Sequence, residues 1–504
     1  MSTEAPVAPA AATTSKEDLQ VAGRNAITLA ASLIGTWTVA FLVRFQVPRF
    51  LGPEAFGQFN FADAFSAAFF VLADYGVDVY VVKETTSRPG HASDFAGGVL
   101  VVRTVTSALL LAVMAITLHL THRSIDIQLA VLIFGITQYV ILANSSMAAL
   151  LQAATRVKRL AIANVMSKVI WGAGLALAIA FHGSLPWLAF PLLASELLKT
   201  VALVGAVRKA LDIHLRIDWT QTKMALVASL PYFLNGGAVI VGNRLTAAAL
   251  EFVTPDAREV GWYSATSNLA GLAMLLAPLL EWVVMPLLAR AKERSEDEVY
   301  AICHRAIEGL LVTIIPVTLL ISLGADLWVR VAFGAKFGEA AMSLRVLSLD
   351  FSLVYLAMLL STLLIVLGRS WTVTLISVGA VPMRALMIVP LVRFCSEWMG
   401  PGGGAVGAAL TEIVGIASTA ALSFWLVGRR SIDRRAAVQI LKSFFIAALV
   451  SVAHVAMARL GYVRLVLDML LYVALAVALR VVGMKEVRGL WQLIASRRNR
   501  PTAT

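Results

Sequence analysis

Arg44, Asp63, Asp74 and Asp78 stand inside two consecutive apolar stretches, near residues 23–50 and 55–83. An ionisable side chain at the depth of a lipid hydrocarbon core costs several kcal/mol unless it faces protein or water, so it marks a pathway, a relay or a buried pair. Further along, Arg103, Lys168, Arg244, Arg345 and Arg384 also fall inside apolar stretches, as do Glu196, Glu251, Glu281, Glu308, Asp350 and Glu412. Arginine presents a planar fork of donors that fits paired phosphate oxygens. A carboxylate in such surroundings can carry a proton, which would tie solute movement to a proton gradient. Asp74 and Asp78 are spaced by one helical turn and are expected on one helix face. The embedded signs are nearly balanced, so charge alone does not select an anionic solute.

Other chemistries lack the residues to carry them. His119, His182 and His454 are scattered without metal-ligand spacing, and Cys303 and Cys395 form neither a disulfide framework nor a ligand pair. A nucleotide-binding phosphate loop, a GxGxxG turn after a strand and a nucleophile elbow are all absent. ATP hydrolysis within the chain, metal binding and covalent catalysis are therefore not expected. No cofactor is expected beyond a proton or sodium gradient.

The elements that must position these charges are long and apolar. Of 504 residues, 59% are hydrophobic and only 14% are charged, against about 25% charged in a soluble domain. The fold class expected is an all-α polytopic membrane protein. About fourteen windows are long enough to span a ~30 Å hydrocarbon core as helices. The short alternating strands of a membrane β-barrel are absent. A net charge of +12 would suit nucleic acid on a soluble protein. Here Lys and Arg gather in alternate connections, such as Lys83 and Arg88, Arg208 and Lys209, and Arg429 and Arg430. That is the positive-inside pattern, which sets orientation and implies no nucleic-acid partner. An even number of spans then places both termini in the cytoplasm.

Two hairpins resemble each other. Residues 41–65 carry Arg44, Pro53 and Gly57-Gln58-Phe59; residues 239–269 carry Arg244, Pro255 and Gly261-Trp262-Tyr263. Each has an Arg in a helix, then a Pro in a turn, then Gly-x-aromatic opening the next helix. Duplicated bundles with a binding site between their halves are characteristic of transporters. Prolines inside spans, Pro231, Pro278, Pro286, Pro316 and Pro382, are either bending points or static kinks.

Four stretches then resemble the polysaccharide and oligosaccharide flippases of the MOP (multidrug/oligosaccharidyl-lipid/polysaccharide) export superfamily. Leu51-Gly52-Pro53-Glu54-Ala55-Phe56-Gly57 is similar to that family's LGPxxYG turn. Leu72-Ala73-Asp74-Tyr75-Gly76 with Lys83-Glu84 resembles the end of its second helix, and Ser229-Leu230-Pro231 with Val260 to Ala265 its helices seven and eight. Pro286-Leu287-Leu288-Ala289 resembles the end of helix eight. One departure is Asn243, where the family often carries an acid before the helix-seven Arg. The resemblance implies fourteen helices in two six-helix lobes plus two C-terminal helices. It implies a central cavity opening alternately to each side, and an undecaprenyl-pyrophosphate-linked oligosaccharide as the solute at the bacterial inner membrane.

The organisation expected is a disordered cytoplasmic tail at 1–19, a first lobe at 20–215, a second at 216–430, two added spans within 431–483 and a basic tail at 484–504. Substrate-binding candidates are Arg44 and Arg244, then Lys168, Arg384, Asn243 and Asn268; Asp63, Asp74 and Asp78 are ion-coupling or charge-pair candidates. Counted from Gly52, Arg44 and Asp63 lie at similar depths, roughly 12–17 Å at 1.5 Å per residue, so they either line a cavity or pair. Arg103 and Arg345 lie near span ends, where a long side chain can snorkel to water. The partners expected are the lipid-linked glycan, the bilayer, a polysaccharide polymerase and its assembly complex; the chain is expected to be a monomer. A multidrug cation antiporter of the same superfamily is the alternative, and an integral-membrane polysaccharide polymerase or ligase a more distant one, because every outer connection is short.

Overall fold

Gly52 breaks the first helix at a single residue. Its backbone (φ 78, ψ 170) lies where a side chain would strain the chain, so the Leu51–Glu54 turn is a sharp kink between two helical arms with no intervening loop. This first helix, α1, runs Lys16–Asp74. After it come α2 Ala92–Leu120, α3 Ile125–Ala153, α4 Val157–Ala180 and α5 Leu185–Ala210. The chain continues as α6 Trp219–Val253, α7 Ala257–Ala270, α8 Ala277–Lys292, α9 Glu296–Leu323 and the short α10 Ala325–Phe333. It closes with α11 Ala340–Val366, α12 Ser370–Met399, α13 Gly403–Val427, α14 Arg434–Ala456 and α15 Arg464–Ala478.

The computed structural model describes residues 16–78, 92–154, 157–210, 216–271, 277–428, 434–479 and 481, and within the helices it leaves some side chains undescribed, among them those of Arg44, Asn243, Glu281, Pro231, Pro278 and Pro286. Lys83, Glu84, Arg88, Arg429, Arg430 and the tail at 484–504 lie outside the described residues, as does the expected tail up to residue 15; residues 16–19 already belong to α1. Among the described residues there is no strand. In a bilayer no water is present to satisfy free backbone groups, so each apolar segment must close its own hydrogen bonds as a helix.

Among the described residues, eleven helical stretches are long and apolar enough to cross a membrane. One of them, within α1, carries the first two expected spans. α6, interrupted by polar residues such as Asn235, Asn243 and Arg244, and the shorter α7 and α8 are not among the eleven, where the sequence led us to expect two more spans. Val105, Leu109, Val113, Ile116 and Leu120 form an exposed stripe along α2 at three- and four-residue spacing, the face expected to meet lipid.

Caps fix the ends at the water boundary. Asp218 accepts from Thr220 N (2.8 Å) and Gln221 N (3.2 Å) to start α6, and Ser295 accepts from Glu298 N (3.1 Å) to start α9. Asp256 starts α7, and hydrogen bonds from Arg258 hold its carboxyl below the usual carboxylate range. One apolar core, including Phe61, Phe134, Phe337 and Leu344, runs through α1, α3 and α11. A separate core of Ile315, Leu319, Ile446, Val450 and Tyr472 fastens α14 and α15 onto α9. His454 Nδ1 and Asp468 Oδ2, 2.5 Å apart and buried, tie those two final helices together.

Candidate functional site

The second arm of α1 places Phe56, Phe59, Asn60, Asp63, Ala67, Phe70, Val71 and Asp74 on one helix face, because they recur every three or four residues. That face lines a cavity of about 400 Å³. α3 contributes Phe134 and Gln138, α4 contributes Lys168, Trp171 and Leu175, and α5 contributes Leu192. α6 adds Ile240 and Arg244, and α7 adds Asn268. The wall is apolar and aromatic with a few polar groups, the usual make-up of a small-molecule site.

Five of the residues singled out from sequence meet here: Arg244, Lys168, Asn268, Asp63 and Asp74. Arg244 Nη1 donates to Asp63 Oδ2 at 3.0 Å, joining α6 to α1. The two side chains are 39% and 24% exposed, so the pair faces the cavity rather than the core. Lys168 Nζ lies 3.9 Å from Glu196 Oε1 and 5.4 Å from the centre of the Trp171 ring. The lining holds two carboxylates and two cations, formally balanced.

Asp74 and Asp78 do not share an uninterrupted helix face. α1 ends at Asp74, and Tyr75 (φ 55) and Gly76 (φ 61) turn the chain through left-handed backbone. Both carboxylates nevertheless reach Arg103. Its Nη1 donates to Asp78 Oδ1 at 3.1 Å and to Leu142 O at 3.0 Å; its Nη2 donates to the Asp74 carbonyl at 2.9 Å and to Asp74 Oδ1 at 3.3 Å. Arg103 is 3% exposed. It does not snorkel, because two acids and two carbonyls hold its Nη1 and Nη2 inside the bundle. Arg345 remains at the surface, paired with Asp326.

Sequence reasoning passed over the small polar residues of α3. Ser145 and Ser146 donate to Asp78, and Asn144 Nδ2 donates to Glu196 Oε2 at 2.9 Å. Glu196 also takes Ser167 Oγ at 3.3 Å and lies 3.4 Å from Lys199 Nζ. The Asn144-Ser145-Ser146 run thus ties the Arg103 cluster to the Lys168 cluster. An Asn-Ser-Ser run inside an apolar window is the signal that would have found it.

Arg384 lies elsewhere, in the second half of the chain. Its Nε is 3.2 Å from Glu412 Oε2, and Glu412 Oε1 accepts from Thr246 Oγ1 and from Tyr263 OH (3.5 Å). Gly242 on α6 and Gly415 on α13 leave room for the guanidinium; a Cβ would come within 2.6 Å and 2.4 Å of it. The side chains of Arg44, next to cavity-lining Val43, and of Asn243 lie outside the described residues. Among the described residues no cluster of His, Cys, Asp or Glu could hold a metal ion.

The first and second halves of the chain also meet backbone to backbone at one crossing. The second arm of α1 crosses α7 at Gly57 and Gly261, with no room for a Cβ on either. Arg123 donates to Glu251 Oε1 and to the Glu251 carbonyl, both at 2.7 Å, and lies over the Phe61 and Phe252 rings. Buried Glu259 accepts from Gly402 N (2.7 Å) and Ala405 N (2.8 Å), a negative charge at the N-terminus of α13.

The sequence profile of a family described as polysaccharide biosynthesis protein matches residues 22–292. No curated protein sequence matches the chain at a significant level. Among solved structures, the lipid II flippase MurJ in an inward closed conformation is similar, at 13% identity and TM-score 0.62, covering 89% of this chain and 99% of that one. An inward-facing multidrug resistance MATE family transporter of the MOP superfamily is similar at 14% identity and TM-score 0.59, covering 76% and 96%. A MOP superfamily transporter from Pyrococcus furiosus, with a binding pocket of reversed polarity, is similar at 13% identity and TM-score 0.54, covering 80% and 94%. At these identities the likeness concerns the fold.

Proposed function

We propose, for a chain that belongs to the polysaccharide biosynthesis protein family, that it flips undecaprenyl-pyrophosphate-linked oligosaccharide across the bacterial inner membrane by alternating access, and that it is not an enzyme. The observation that carries this reading is the cavity itself. It sets Arg244 and Lys168 beside Trp171, Asn60, Gln138 and Asn268 within apolar helices. A pyrophosphate needs a guanidinium fork, a glycan needs neutral hydrogen-bonding groups and an aromatic face, and an isoprenoid tail can remain in lipid.

Residues 20–215 and 216–430 act as two lobes. On this reading the Gly57–Gly261 crossing, where neither residue has room for a Cβ, closes one end of the passage between them. Within the added C-terminal part expected at 431–483, α14 and α15 pack on α9. The remaining features follow the family expectation: cytoplasmic termini, a monomer, drive from a proton or sodium gradient, and a polysaccharide polymerase and assembly complex as downstream partners.

Asp63 and Asp74 on the cavity wall favour one second reading, a multidrug cation antiporter. Cells lacking the gene separate the two. Lipid-linked repeat units retained on the cytoplasmic face, with loss of surface polymer, support the flippase. Normal polymer with new sensitivity to cationic drugs supports the antiporter. Lipid-linked units that reach the outer face unpolymerised point to a polymerase or ligase.

A further inference from the structure

Arg244 is the cavity cation with the most replaceable partner among the described residues. Arg103 is buried under two carboxylates and two carbonyls. Lys168 sits within the Glu196, Lys199 and Asn144 cluster. Arg244, by contrast, meets Asp63 through Nη1 alone, and both side chains are open to the cavity. A guanidinium offers five donors, so the one contact it makes among the described residues uses a single one of them. An ion pair this exposed is weak, whereas a bidentate phosphate contact is a stronger, charge-assisted one.

We propose that Asp63 is an internal competitor for the solute: its carboxylate occupies Arg244 in the empty cavity, and an entering pyrophosphate displaces it. Granted an anionic solute, the reading on which this rests, the exchange has a mechanical consequence. The pair joins the second arm of α1 to α6, so loading the anion releases that tie between the two halves of the chain. Asp63 is then a positioning residue that sets affinity and times the release, and it makes no favourable contact with the solute.

The sign of the effect distinguishes this role from the others open to Asp63. A residue that binds solute, or one that only supports the fold, weakens binding when neutralised; a competitor strengthens it. Apparent affinity falls by the fraction of time the site is occupied by its competitor. Asp63→Asn should therefore bind inorganic pyrophosphate roughly three- to tenfold more tightly than the wild type, given the worth of an exposed pair and the loss of a repelling charge.

The experiment is calorimetric titration of inorganic pyrophosphate into the full-length protein in detergent, with size-exclusion profiles to confirm that each variant is folded. Wild type, D63N, Asp63→Glu, Arg244→Ala and the D63N/R244A double variant are compared. The result expected is tighter binding by D63N, wild-type affinity for D63E, and loss of binding in both R244A backgrounds. Unchanged or weaker binding by folded D63N, while wild-type binding still depends on Arg244, overturns the competitor role and leaves the anionic-solute reading standing. A gain from D63N that persists without Arg244 also overturns it. Absence of pyrophosphate binding by every folded variant overturns both.

Discussion

Gly57 and Gly261 lie against each other's helices, each at the place where the other chain segment passes closest. A Cβ on Gly57 would come 1.9 Å from the Ala257 carbonyl and 2.9 Å from Gly261 N; a Cβ on Gly261 would come 1.9 Å from the Pro53 carbonyl. The spacings are alike, Pro53 to Gly57 and Ala257 to Gly261, and each puts two small or flat residues one turn apart. Small residues at that spacing let membrane helices approach backbone to backbone. The two glycines also open the similar segments Gly57-Gln58-Phe59 and Gly261-Trp262-Tyr263, so these two stretches meet at their first residues.

Gly57→Ala and Gly261→Ala should each abolish most export. The obstructing atoms are backbone, so the helices must separate, at about 1–3 kcal/mol for an overpacked site. Gly309→Ala and Gly379→Ala, where nothing lies within 4 Å of the added atom, should behave as wild type. Surface polymer measured at matched membrane protein levels checks both halves of the prediction.

Arg103→Ala should be far more damaging to stability than Arg244→Ala. Removing the buried Arg103 leaves Asp74 and Asp78 facing each other uncompensated, an effect on the order of 3–5 kcal/mol. Removing the half-exposed Arg244 should lower solute binding while changing thermal stability by about 1 kcal/mol or less. Thermal unfolding in detergent ranks the two; equal stability loss would contradict the burial difference.

Arg384 and Glu412 should act as a unit within the fold. Arg384→Gln alone, or Glu412→Gln alone, should destabilise by about 3–5 kcal/mol, since each leaves an unpaired buried charge. The double variant should recover a large part of that loss. Pyrophosphate affinity should be unchanged in the double variant, because neither residue lines the cavity.

Glu259→Ala should loosen the closed end. It strips the carboxylate from Gly402 N and Ala405 N and leaves two buried donors unsatisfied, at about 1–3 kcal/mol. Glu259→Gln, which keeps one carbonyl acceptor, should be intermediate. Hydrogen exchange at the start of α13 reports the order directly.

The kinked first hairpin and the succession of long apolar helices could be read from sequence because hydropathy, glycine and proline carry them, although eleven stretches among the described residues, not fourteen, are long and apolar enough to cross a membrane. Arg244, Lys168, Asp63 and Asp74 could be read as embedded charges, and the structure gathers them at one cavity. What stayed hidden was the facing of each charge. Distance from a span end suggested that Arg103 reaches water, yet depth along a helix says nothing of the side it presents, and Arg103 points inward. The Asp74–Asp78 spacing implied one helix face, but Tyr75 takes up left-handed backbone with no residue-type signal beyond the following glycine. Asn144, Ser145 and Ser146 escaped notice because small polar residues barely alter the apolarity of a span. Arg384 stood beside Lys168 as a substrate-binding candidate, and only the space left by Gly242 and Gly415 shows where it goes.

On the proposed function, this cavity carries a pyrophosphate-linked glycan through Arg244. The most direct test is a flipping assay in proteoliposomes loaded with a fluorescent undecaprenyl-pyrophosphate oligosaccharide, comparing wild type with Arg244→Ala at equal reconstitution. The account predicts transfer between leaflets by the wild type and at least a tenfold slower rate for the variant. Equal rates for the two, or no transfer above protein-free vesicles by either, would contradict it.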